Sequence, residues 1–433
     1  MAERGAWRLL LALAALNVLG YVDRQLVAAL APVLMAELGL SRADIGLLIG
    51  PVFVGVFGAG TLVLGAAADR WRRPRIIAGG LAVWSAATAL TGTASGFATL
   101  VFWRSLVGVG EATLPPTAVS MLGDRFAPSR LGFATSVYYA GLPVGFGCSL
   151  ALAGWLVPRF GWRSCFYLLG VLGLAAVALV WRMADPPRRS VPTGAAAGVT
   201  AAGGTIASRL RRAFADEPSL GLLIAGATLL TYTSASSQHL VTWLVQERGF
   251  AYSRAAYLAA AMVLGAGLAG SLAIGALTDA AERRRPGGRL FAFAFLGALS
   301  LATTAAFYRL PAASPFFLAA WLFAQAWSLG WFGPMLAAIH ERAPAGSRAT
   351  VIGFGLMTIN LVGVGSGSWI TGVIGDRAGL TTGLLTSVAV GAVGLAVIGL
   401  VALRDGGFLV ARPAGARRND RLGPDEASRN DRA

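Results

Sequence analysis

Charge is scarce in this chain. Of its 433 residues only 13% are Asp, Glu, Lys or Arg, about half of what a soluble globular domain carries. Lysine is absent, so all 36 fixed cations are arginines, and there are two cysteines and two histidines. Two cysteines exclude a disulfide-stapled fold; Cys148 and Cys165 both fall in apolar runs and read as buried, inert thiols. With so few histidines and cysteines there is no cluster of metal-ligand spacing. The sequence also lacks a phosphate-binding loop and a nucleophile–base pair. These absences point away from an enzyme and call for no cofactor or metal.

Apolar sequence fills the space. Hydrophobic residues make up 56% of the chain and mean hydropathy is +0.66. The stretches 45–68, 76–103, 131–157, 310–340 and 349–375 contain no charged residue at all. Each is long enough to cross a hydrocarbon core of about 30 Å as a helix. The chain therefore reads as an all-α, polytopic membrane protein. Its 57 glycines fit that class, because small residues let membrane helices approach closely.

Polar punctuation divides the chain into twelve spans, near 7–35, 44–68, 76–95, 97–121, 131–157, 164–182, 218–245, 253–278, 289–308, 313–340, 349–375 and 380–403. The apolar start continues past Asp23 to about Met35, so it reads as a first membrane helix and not as a cleaved signal. Residues 1–182 form an N-terminal six-helix half and 218–403 a C-terminal one. Between them, 183–217 is a Pro-, Gly- and Arg-rich linker with a short amphipathic helix near 206–214. Residues 404–433 are rich in Arg, Asp, Gly and Asn and read as a disordered tail.

The net charge of +16 belongs to topology and not to nucleic acid. Most arginines fall in alternate loops, the linker and the two ends. By the positive-inside rule these are cytoplasmic, in a bacterial-type inner membrane, and they can contact anionic membrane lipid. Trp71 and Tyr252 read as interfacial anchors, and His340 as interfacial too.

The halves repeat each other in one direction. "GAAADR" (65–70) pairs with "GALTDA" (275–280), "RFAPSRLGFA" (125–134) with "RAPAGSRATVIGF" (342–354), and "GWLVPRFG" (154–161) with "GVIGDRAG" (372–379). Parallel six-helix repeats around an axis along the membrane normal describe a major facilitator fold, with a substrate site at mid-membrane between the halves.

Four charges break the apolar background. "GYVDRQ" sets Asp23 and Arg24 near the middle of the first span, and "FWRSLVGVGEA" sets Arg104 and Glu111 in the fourth. A central charge costs at least roughly 2.5–3.5 kcal/mol to insert, so the four are expected to neutralise one another across the two helices. Arg104 and Glu111 lie two turns apart on one face, about 10.5 Å along the axis. A static packing network and a proton-coupling and gating switch both fit, as does plain anion binding.

"GAAADRWRRPR" (65–75) resembles motif A of the major facilitator superfamily, with Arg72 at the usual glycine and Pro74 at a usual basic position. The resemblance implies a cytoplasmic gate from Gly65, Asp69, Arg70 and Arg73, the Asp making an inter-half contact and the arginines facing headgroups. "GYVDRQLVA", "RSLVGVGEA", "YYAGLPVGFG" and "DPPR", with "ERAPAGSRAT" and "NLVGVGSG" in the second half, are similar to the Spinster family. That likeness implies a carrier of lysolipid-like, amphipathic anions driven by protons, with Asp23, Arg24, Arg104 and Glu111 in gating or coupling. Tyr21, Phe53, Phe57, Val137, Tyr138 and Phe146 are candidates to line the cavity on the first half; Gln238, His239 and Asn360 on the second either make helix-packing hydrogen bonds or line the cavity. The same charges also resemble sugar-acid (organic-anion):proton symporters, and a non-transporting lipid receptor or scramblase is a third reading. A monomer is expected.

Overall fold

The computed structural model describes residues 2–68, 71–188, 205–285, 287–344 and 347–405; the expected tail lies outside them, as does much of the linker. Among the described residues the chain is helical throughout, with no strand. The first-half helices are Ala2–Leu38, then 42–68, Arg73–Thr91, 97–125, 128–160 and Arg163–Trp181. The linker helix Ile206–Asp216 precedes 219–246, 252–284, Gly288–Arg309, 317–342, 348–378 and Leu380–Asp405. Among the described residues ten stretches are long and apolar enough to cross a membrane on their own. The third and fourth helices complete the twelve expected, and the chain is an integral membrane protein. Below, "helix one" to "helix twelve" follow this order. The linker side is the membrane face carrying Ile206–Asp216, and the far side is the opposite face.

Local sequence accounts for the helix ends. Helix one stops at Gly39, whose φ of +66° is left-handed, and helix two restarts in a capping box between Ser41 and Asp44. Gly249 repeats Gly39 after helix seven, and Gly161 and Gly379 match each other after helices five and eleven. These paired caps are the parallel repeat in backbone form. Helix four, expected as one span, is broken: it runs Phe97–Glu111 and resumes at Leu114–Arg125. Pro115 and Pro116 follow the break, and without their N–H groups the hydrogen-bond ladder cannot run through.

The halves meet mainly along two seams, helix two against helix eleven and helix five against helix eight. On the far side the first seam is backbone on backbone. A Cβ on Gly46 would stand 2.4 Å from the Ser368 carbonyl oxygen, and one on Gly50 2.1 Å from that of Gly365. Toward the linker side Gly55 and Gly58 of the same helix have no atom within 4 Å of that position among the described residues. The core divides in the same way. One apolar cluster joins both halves through Leu30, Ile45, Trp243 and Leu244. A second, around Leu10, Leu81 and Met121, belongs to the first half alone. The molecule is closed on the far side and parts toward the linker.

Candidate functional site

Helices one and four bring the four predicted charges together as two crossed pairs. Arg104 Nη1 lies 3.3 Å from Asp23 Oδ1, and the Thr88 hydroxyl of helix three donates to Asp23 Oδ2. Arg24 Nη2 lies 2.6 Å from Glu111 Oε2, with Nε at 3.1 Å from the same oxygen. Adjacent helical residues point about 100° apart, so Asp23 and Arg24 reach different partners on the neighbouring helix. Glu111 occupies the last position before the break in helix four.

The two pairs differ in exposure. Asp23 and Arg104 are 2% and 1% accessible, Glu111 is 2%, and Arg24 is 25%. Arg24 is the one member of the quartet that faces open space. Its guanidinium carbon sits 4.5 Å from the Phe57 ring centre, 4.8 Å from Tyr21 and 5.1 Å from Phe53. Such faces favour a cation and also offer apolar surface. Phe146 packs edge-on to Tyr21 at 5.8 Å, bringing helix five to the same cluster. Glu111 Oε1 and Arg104 Nε are buried with no hydrogen-bond partner among the described residues. Each pair therefore holds an unused polar atom at membrane depth.

Other candidates lie elsewhere. Tyr138 is fully buried, with no partner for its hydroxyl among the described residues; its carbonyl accepts from Asn17 at 2.7 Å. Val137 packs partly buried on the first-half core. His239, expected either to make a helix-packing hydrogen bond or to line the cavity, does the former: it is buried, and its Nε2 donates to the Ser368 carbonyl at 2.8 Å. It fastens helix seven to helix eleven. Asn360 is exposed, and its amide folds back on its own helix to the Leu356 carbonyl at 2.8 Å. Gln238 is half-buried, and its Oε1 has no partner among the described residues. Cys148, expected to be buried, is exposed, whereas Cys165 is buried. Tyr252, expected as an interfacial anchor, instead donates from its hydroxyl to the Ala29 carbonyl across the two halves at 3.0 Å.

Of the loop residues resembling motif A, Gly65 lies in the last turn of helix two, and Asp69 and Arg70 lie outside the described residues. Arg73 does not face headgroups. It is 1% exposed, with Nε 2.8 Å from Asp185 Oδ1, Nη1 on Asp124, and Nη2 donating to the Pro186 carbonyl at 2.6 Å. The "DPPR" segment is thus the acceptor that draws Arg73 inward and ties helices three, four and six into one body.

Sequence reasoning missed the far-side clasp. Asp376 of helix eleven accepts from the backbone amides of Arg42 and Ala43 at the start of helix two, at 3.0 and 2.9 Å. The Arg42 guanidinium donates to the Gly375 carbonyl at 2.8 Å and to Gln246 Oε1 at 3.0 Å. The available signal was Arg42 itself, an arginine on the arginine-poor side. Also missed were Tyr232 and Ser366, whose hydroxyls meet between helices seven and eleven. Both are neutral residues in apolar runs.

Comparison with known proteins agrees with this architecture. The Major Facilitator Superfamily sequence profile matches residues 13–367. A 3-(3-hydroxy-phenyl)propionate transporter of Escherichia coli is 30% identical over 243 residues, 55% of this chain and 57% of that one. The protein spinster of Drosophila melanogaster is 28% identical over 186 residues, 43% of this chain and 31% of its own length. The chain thus spans less than two thirds of the curated relatives it matches. In three dimensions it superposes on a bacterial homolog of the human lysosomal transporter Spinster, solved inward-facing and unoccupied. The TM-score is 0.81 at 21% identity, over 95% of this chain and 99% of that one. With twelve helices in two parallel repeats and paired charges at its centre, the chain belongs to the Major Facilitator Superfamily and shares the fold of the bacterial Spinster homolog.

Proposed function

We propose that the chain is a proton-coupled secondary carrier for lysophospholipid-like amphipathic anions. It works by alternating access, as a monomer in a bacterial inner membrane, with both termini and the linker cytoplasmic. The observation that carries this reading is the Arg24–Glu111 pair, in which a half-open cation set among three aromatic rings is held by a buried carboxylate. An anionic headgroup reaching Arg24 competes with Glu111 for it. A carboxylate left at membrane depth without its counter-ion favours the neutral form, so Glu111 takes a proton as the substrate binds. Anion and proton then load together, which is symport. The alkyl tail lies along Tyr21, Phe57 and Phe146. Arg104, enclosed by Asp23 and Phe53, holds the quartet neutral and does not itself contact substrate.

Rocking of the halves needs a seam that opens at either end. The far-side clasp of Arg42 and Asp376 supports one closed gate, and the motif A residues Gly65, Asp69 and Arg70 supply the opposite one. A second reading, an organic-anion:proton symporter, is favoured by likeness to a carrier whose name gives a hydroxyphenyl acid. Counterflow in proteoliposomes separates the two. Exchange of a lysophospholipid with no response to hexonates or aromatic acids supports the lipid reading. Saturable acid uptake without lysolipid competition supports the other, and no exchange of any of them rejects a carrier.

A further inference from the structure

Helices two and three are consecutive in the chain, yet they part on the linker side and leave a groove of about 560 Å³. That volume is within the roughly 300–1,000 Å³ typical of small-molecule sites. Leu64, Ile76, Val83 and Val109 wall it, and helix four forms the floor where it crosses helix three most closely. There a Cβ on Gly80 would meet the Thr113 hydroxyl at 2.1 Å and the Gly110 carbonyl at 2.6 Å. The rim is apolar and open: Val83 and Val109 are about two-fifths exposed, Trp181 54% and Trp71 69%. On a membrane protein such a rim faces hydrocarbon, and the groove is separate from the charged quartet.

Its mouth is basic. Arg72 and Arg75 line it, and neither has an ion-pair partner among the described residues. The Arg75 guanidinium lies 5.5 Å from the Trp181 ring centre. Arg73, between them, is turned inward onto Asp124 and Asp185, so the two outer arginines are left facing the groove. Among the described residues no acidic side chain lines it. From Arg75 to Val83 the third helix runs about 12 Å, from the expected headgroup level toward mid-membrane. Tryptophans mark that headgroup level. Positive charge at the interface above an apolar slot parallel to the membrane normal complements one kind of molecule.

We propose that this groove seats a bilayer glycerophospholipid with a net-negative headgroup. Its phosphate is gripped by Arg72 and Arg75, and one acyl chain lies between helices two and three. This does not rest on the transported substrate, whose place is the cluster around Arg24. The occupant touches helix four at Val109, Gly110 and Thr113, on either side of Glu111 and the break at 112–113. It therefore braces the segment that positions the carboxylate.

The test is lipid binding by the purified full chain in detergent. Native mass spectrometry and thermal shift would be read with dioleoyl phosphatidylglycerol and dioleoyl phosphatidylcholine. The wild type should retain and be stabilised by phosphatidylglycerol in preference. R72Q/R75Q should lose that preference, with affinity falling at least about tenfold, as two charge-assisted contacts disappear. G79L should lose both lipids. Gly79 lines the groove with no atom within 4 Å of its Cβ position, and leucine is the better helix former, so this variant plugs the slot while keeping the fold. Should R72Q/R75Q fail to fold, G79L decides. Equal retention of the two lipids by the wild type, or wild-type phosphatidylglycerol binding by G79L, overturns the proposal.

Discussion

Asp376 of helix eleven caps the first turn of helix two, accepting from the Arg42 and Ala43 amides 334 and 333 residues away in sequence. The contact lies beside the tight Gly46 and Gly50 crossings, and together they hold the far side shut. Asp376→Ala removes two hydrogen bonds to a carboxylate at an exposed site, about 1–2 kcal/mol in all. The population should shift roughly 5- to 30-fold toward the far-side-open form. Labelling of single cysteines at the two cavity mouths reads this. Unchanged labelling on both faces would mean the clasp does not gate.

Glu247, just beyond helix seven, provides the pH-dependent fastening on the same side. It accepts from the Leu380 amide and from the amide and hydroxyl of Thr381 at the start of helix twelve. Burial pushes its carboxyl up, but those bonds and the nearby Arg42 outweigh it and hold the carboxyl below its usual value of 4.5. A depressed folded-state pKa gives stability that is complete above the unfolded value and is lost as pH falls through the folded one. Thermal stability of the wild type should therefore decline below about pH 4.5. Glu247→Ala should lose about 1–3 kcal/mol at pH 7 and show a shallower acid limb. An identical acid limb in both proteins would remove Glu247 from the account.

Arg73 predicts a stability effect and not a gating one. Breaking a buried pair costs roughly 3–5 kcal/mol. Asp124 and Asp185 keep 16% and 18% exposure, so Arg73→Ala should cost about 3 kcal/mol, the low end of that range. Arg73→Lys should recover little, since one ammonium cannot span both carboxylates and the Pro186 carbonyl. The measurement is detergent-solubilised melting alongside cysteine accessibility. A shifted accessibility pattern with unchanged melting would return Arg73 to a gate.

Sequence patterning carried the reading as far as membrane physics constrains it. Charge is so costly at membrane depth that Asp23, Arg24, Arg104 and Glu111 had to find one another, and ten of the twelve helices follow from apolar length alone. What stayed hidden is tertiary. Thr88 is an unremarkable residue in an apolar run until helix three sets it beside Asp23. His239 is a polar side chain at mid-helix, and only the packing of helix eleven shows that it is buried on a carbonyl. The break after Glu111 was signalled by Pro115 and Pro116. Its significance depends on Glu111 standing at the break and reaching Arg24 of helix one, which no periodicity reveals.

Substrate length gives a direct test of the aromatic path. Each further buried methylene should add about 0.8 kcal/mol before losses, roughly fourfold in affinity, until the space beside Tyr21, Phe57 and Phe146 is filled. Lysophospholipids of increasing acyl length, titrated in nanodiscs, should show that rise and then a plateau. A flat series together with tight hexonate binding would favour the organic-anion reading.

The proposed exchange at Glu111 is of Arg24 for a proton when substrate arrives. It is tested by uptake into proteoliposomes, with and without an inward proton gradient, for the wild type and Glu111→Gln. Glutamine preserves the shape and can still accept a bond from Arg24, but it cannot titrate. Glu111→Gln should still bind and exchange substrate in counterflow while losing all acceleration by the gradient. A Glu111→Gln protein that keeps the wild-type proton dependence would contradict it.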